Sequence, residues 1–164
     1  MRLWGLLGSA GLLLSLAGCG VPAGGAIGVS VDGHGRPVIY IQMCEGHIDG
    51  ATLYRSDDDS SEDQIFGRWV VSPAVEGFSQ FNLAAPTGDW RAARQLLPRD
   101  PATEYTIYGW STDNSYSAMH LDFSQNSLAE LKSGELRYPD FATGNLKTGS
   151  LQDFRKETCE QSWG

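Results

Sequence analysis

Tyr105-Thr106-Ile107-Tyr108-Gly109-Trp110-Ser111-Thr112-Asp113-Asn114-Ser115-Tyr116-Ser117-Ala118-Met119-His120-Leu121-Asp122-Phe123 reads as two alternating runs around a cluster of turn residues. Alternation with period two sends successive side chains to opposite faces of a strand. Ser111 to Ser115 supplies the small polar residues that tight turns favour. The stretch therefore predicts a β-hairpin. Pairing Trp110 with Tyr116, Tyr108 with Ala118 and Thr106 with His120 sets Ile107 against Met119 and Tyr105 against Leu121. Tyr105, Ile107, Met119, Leu121 and Phe123 then share one apolar face, while a one-residue slip would mix the faces. The other face carries Tyr108, Trp110 and Tyr116 beside Thr106 and His120.

The flanking sequence repeats the pattern. Ile27 to Val31, Pro37 to Cys44, Ala51 to Arg55, Ile65 to Ser72, Phe78 to Leu83 and Glu135 to Tyr138 are short runs bounded by turn residues, as in all-β chains. Pro37 to Cys44 is apolar on both faces, which predicts a central strand. One short helix is expected near 88–97. Trp90, Ala93 and Leu97 recur there at helical spacing, and Thr87 can cap it. After Phe123 come a polar turn, a short apolar piece from Leu128 to Leu131, and a polar tail expected to be irregular.

Composition agrees with one folded unit. The chain has 164 residues, 41% hydrophobic, with 20 glycines and 20% charged residues. That length supports a single domain with a real core, and that hydrophobic fraction argues against disorder. A net charge of −8 and a pI near 4.7 argue against a nucleic-acid partner, because phosphate contacts need clustered Lys and Arg.

Leu97-Pro98 followed by Pro101-Ala102-Thr103-Glu104-Tyr105-Thr106-Ile107-Tyr108 resembles the tyrosine-corner region of fibronectin type III domains. Two extra residues separate the prolines, and Ile107 stands where immunoglobulin domains have a cysteine. The resemblance implies an immunoglobulin-like β-sandwich. It also implies that Tyr105 buries its ring and bonds its hydroxyl to upstream backbone.

The N-terminus reads as an address. Arg2 precedes an apolar stretch, Leu3 to Leu16, of 14 residues. A bilayer span takes roughly 20, whereas a signal peptide needs fewer. The stretch ends Leu16-Ala17-Gly18-Cys19, which resembles the lipobox of bacterial lipoproteins at all four positions. The resemblance implies cleavage after Gly18 and acylation of Cys19, holding the protein on the outer side of the cell membrane. Two or three acyl chains anchor stably where one does not. Removal of residues 1–18 takes away Arg2 and leaves 11 basic against 20 acidic residues, a formal charge of −9. Residues 19–25 are expected to be a flexible tether, 26–142 the β-sandwich, and 143–164 the polar tail.

With Cys19 acylated, Cys44 and Cys159 remain. Outside the cytoplasm an even pair predicts a disulfide, here pinning the tail. The rival reading is a reactive thiol, since His47 follows Cys44 at the third position.

Candidate sites follow from residue type. Tyr108, Trp110 and Tyr116 present flat rings that stack on sugars or anchor a protein partner, with Asp113 at the rim to bond hydroxyls. Cross-strand aromatic pairs also stabilise sheets with no ligand. Asp57, Asp59, Ser61 and Asp63 mimic the start of a calcium loop, but Glu62 replaces the glycine and Arg68 the final glutamate, so a solvated acidic loop is the better reading of 57–63. His34, His47 and His120 lack any paired spacing, and no metal or other cofactor is expected. No Gly-x-Ser-x-Gly elbow marks a nucleophile. The leading expectation is a non-catalytic envelope module that binds a protein partner, not nucleic acid. A glycan-binding module and a secreted hydrolase are the alternatives.

Overall fold

The computed structural model describes residues 20–55 and 65–163. The acidic stretch 57–63 and Cys19 lie outside the described residues. Ten strands account for most of the described chain: β1 (Ala23–Val31), β2 (Pro37–Met43), β3 (Ile48–Arg55), β4 (Ile65–Val75), β5 (Phe78–Asn82), β6 (Trp90–Arg94), β7 (Tyr105–Trp110), β8 (Ser117–Phe123), β9 (Glu135–Pro139) and β10 (Leu146–Ser150). Two helices complete it, α1 (Gln125–Leu128) and α2 (Leu151–Cys159). Among the described residues no helix is long and apolar enough to cross a membrane.

The strands form one mixed sheet in the order β10-β9-β1-β8-β7-β3-β4-β6, with β2 pairing β1 and β5 pairing β2. β1 is the junction. It runs antiparallel to β2 and β9 and parallel to β8, and seven of its nine residues are buried. Inward side chains from both arms meet in the main core, where Ile27, Val29, Ile39, Ile41 and Phe81 join Leu53, Trp69, Ile107 and Leu121.

β2 owes its two apolar faces to two cores. Ile39, Ile41 and Met43 point into the main one. Tyr40 packs instead on a second cluster of Ala26, Leu136, Tyr138 and Phe154, which β9 and α2 bring over the outer surface. The rings of Tyr138 and Phe154 meet edge to face at 5.4 Å. The Cys44–Cys159 disulfide fastens the end of α2 beside the end of β2.

Several expectations need correction. Residues 88–97 are not helical: β6 pairs with β4, and Trp90 and Ala92 alternate inward as strand residues do. The tail 143–164 is not irregular, for it holds β10 and α2. Ser150 caps α2 by accepting from the Asp153 N–H, while Asp153 accepts from the Ser150 N–H. Residues 23–25, expected to belong to a flexible tether, are instead part of β1, which begins at Ala23.

The hairpin forms, but in another register. Tyr105 pairs with Phe123, Ile107 with Leu121, Gly109 with Ala118 and Trp110 with Ser117. One extra residue in β8, at Met119–His120, makes a bulge that reverses the alternation. Ala118 therefore enters the main core with Leu121 and Phe123, and Met119 turns to the second cluster.

The tyrosine corner has the geometry expected of it. Tyr105 is 2% exposed, and its hydroxyl accepts the Asp100 N–H at 2.9 Å.

Candidate functional site

The outward face of β3, β4, β7 and β8 carries the aromatic residues picked out above. Pairing sets Arg68, Thr52 and Tyr108 in one row and Val70, Gly50, Trp110 and Ser117 in the next. Trp110 packs closely on Gly50, where a Cβ would come within 2.4 Å of the indole. Only glycine permits that approach. The indole N–H donates to Thr52 Oγ1 at 2.9 Å. The Arg68 guanidinium sits over the ring, 4.7 Å from its centroid, a cation–π arrangement.

Tyr108 meets Tyr54 edge to face at 5.7 Å. Below this pair the Thr106 hydroxyl donates to Asp122. Burial raises the Tyr54 phenol above its ordinary value. Tyr116 lies in the turn rather than on a strand. It covers Gly46, where a Cβ would come within 2.1 Å of its ring and φ is +61°.

These residues enclose a groove of about 470 Å³ lined by Val21, Arg68, Tyr108, Trp110, Ser111, Thr112, Asn114, Tyr116 and Ser117. A second depression of about 510 Å³ adjoins it across Tyr108 and Ser117 and extends to Tyr54, Met119 and His120. Tyr108, Trp110 and Tyr116 are thus brought together. Asp113 is not part of the lining. Its carboxylate accepts from the Ser115 hydroxyl at 2.6 Å and the Ser115 N–H at 3.0 Å, which hold its pKa down to about 2. These bonds close its own turn.

Arg68 contributes what the hairpin alone did not reveal. It belongs to a different strand, and only the β3–β4 pairing opposite Thr52 places it over Trp110. The two neighbours of this groove strand on β6, Arg91 and Arg94, pair with Val70 and Arg68 on the same sheet.

The remaining candidates disperse. His34 lies in the β1–β2 turn, His120 is exposed on β8, and His47 lies 3.7 Å from Asp49. Among the described residues no group of three His, Cys, Asp or Glu side chains is placed to hold a metal. Cys44 is disulfide-bonded to Cys159, so the thiol reading falls. A further depression of about 610 Å³ lies beside α2, with Gln42, Arg155 and Lys156 in its wall. Arg155 is engaged there, donating to Gln42 at 3.2 Å and stacking on Phe78 at 4.6 Å.

Comparison with protein-family models, curated proteins and solved structures gave no match.

Proposed function

We propose that the protein is a bacterial envelope lipoprotein, held on the outer side of the cell membrane through Cys19, whose β-domain is a non-catalytic binding module. The groove that joins Trp110, Tyr108 and Tyr116 carries this reading. Aromatic and arginine side chains lead the energetics of recognition surfaces, and here the sheet holds both in place. Arg68 is the one charged residue in the lining, and the carboxylates at its rim, Asp49 and Asp113, are bonded to the Thr112 N–H and to Ser115. Hydrolysis would call for a general acid or base within reach of the bound group.

The finer fold we propose is an immunoglobulin-like sandwich. The run β5-β2-β1 would form one layer and β8-β7-β3-β4-β6 the other, with the parallel β1–β8 pair at their seam. The buried Tyr105 corner ahead of β7 supports it.

Glycan recognition is the second reading, favoured by the Tyr54–Tyr108 pair beside the groove. The test is crosslinked capture from native membranes with the unaltered protein and with Trp110→Ala. Capture by the unaltered protein alone is the expected result. Equal capture by a folded Trp110→Ala protein would overturn the groove as the site. Palmitate labelling, lost in Cys19→Ser, tests the anchor separately.

A further inference from the structure

The start of β1 limits how far the groove can lie from the anchor. β1 begins at Ala23. Pro22 is already tied to β8, its carbonyl accepting the Ser117 N–H at 2.9 Å. The Gly24 carbonyl accepts both the Cys44 N–H at 2.8 Å and the Glu45 N–H at 2.9 Å. Val21 is itself part of the groove wall. Four residue steps separate Cys19 from Ala23, and a fully extended chain covers at most ~14 Å in that distance.

An acyl chain on Cys19, as proposed above, would keep this end of the domain within ~14 Å of the bilayer surface. Trp110, Thr112, Asn114 and Tyr116 are at that end, in the same wall as Val21. The Asp32–Gly35 turn is at the opposite terminus of β1.

The groove's charge selects what it meets there. Arg68 is its one ionised lining residue. The nearby carboxylates, Asp113 and Asp49, stay outside the lining and accept hydrogen bonds from Ser115 and from the Thr112 N–H at 2.7 Å. A guanidinium offers planar paired donors to phosphate. The mature chain's formal charge of −9 opposes spreading over an anionic surface, so any contact with an anionic headgroup falls to single basic side chains such as Arg68.

We propose that the groove binds the phosphate headgroup of an anionic lipid in the same bilayer that carries the anchor. This rests on acylation of Cys19 and gives the binding module its ligand class.

The experiment uses the mature protein acylated at Cys19, in vesicles of phosphatidylcholine alone and in vesicles of phosphatidylcholine mixed with phosphatidylglycerol. Amide hydrogen exchange is followed across Trp110–Ser117. The mixed vesicles should slow exchange about tenfold, the size of one charge-assisted hydrogen bond. Arg68→Gln, an exposed position on β4, should abolish the slowing, and Arg68→Lys should restore part of it. Equal exchange in both vesicles, or slowing that persists in Arg68→Gln, would overturn the proposal. So would equal slowing by free glycerol phosphate over phosphatidylcholine, which would make the ligand a soluble one. Loss of acylation on mass analysis would instead remove the anchor reading. Partner capture through Trp110 without a headgroup effect would leave the binding module standing and remove the lipid.

Discussion

Thr52 and Trp110 share a hydrogen bond across adjacent strands, the indole N–H donating to the hydroxyl at 2.9 Å. Thr52 is 3% exposed, and it sets the angle at which the indole lies beneath Arg68. Thr52→Val keeps the shape and removes the acceptor. It should cost about 1–2 kcal/mol, the price of a desolvated donor left without a partner. Urea denaturation measures it, as a lower midpoint with an unchanged slope. An unaltered midpoint would show that water replaces the threonine, and that the indole is less fixed than described.

Tyr105→Phe isolates the corner. The ring stays buried while the acceptor of the Asp100 N–H is lost. A loss of about 1 kcal/mol is expected, near the typical value of one intramolecular hydrogen bond. Faster exchange of the Asp100 amide should accompany it. Unchanged stability and exchange would mean that the corner does not tie the 98–104 loop to β7.

The disulfide spans 115 residues of sequence. Replacing both cysteines with serine should cost about 2–5 kcal/mol. The effect should be largest in α2, whose buried anchors are Phe154 and Thr158. Exchange measured segment by segment would show α2 opening first. Uniform loosening of all strands would contradict the view that the bridge chiefly seals the second core.

Alkaline pH reaches that second core through Tyr138. It is 1% exposed and donates to Glu157 at 3.3 Å. Burial first, and then the negative charge of Glu157, push its phenol from 10.0 up to about 12. The unfolded chain loses this proton more readily than the folded one. Its contribution is therefore complete below pH 10 and is lost as pH rises toward about 12. Denaturation midpoints measured over that window should fall more steeply in the unaltered protein than in Tyr138→Phe. Parallel curves would remove Tyr138 as the cause.

Much of this architecture was legible because strand alternation is a local signal. The runs at β1, β2, β4, β5, β7, β8 and β9 stand near where period-two patterning puts them. The bulge at Met119–His120 was not legible, since one inserted residue leaves composition unchanged while it reverses which side chains face inward. Trp90, Ala93 and Leu97 fit a helical period by spacing alone, and the edge of β4 decided for a strand. The α2 helix did leave a mark, the Ser150-Leu151-Gln152-Asp153 capping pattern, hidden in a polar stretch. At the site, the hairpin aromatics were visible as neighbours in sequence. Arg68 was not, because a contact between β4 and β7 depends on the strand that separates them.

The most direct test of the binding account places a photo-crosslinking side chain at Thr112, exposed in the groove wall, and in a second protein at Gln80, exposed on β5. Both proteins, expressed from the full sequence, are irradiated in the cells' own membranes. The account predicts crosslinked products from Thr112 and none above background from Gln80. Products from Gln80 alone, or equally from both positions, would contradict a binding module centred on Trp110.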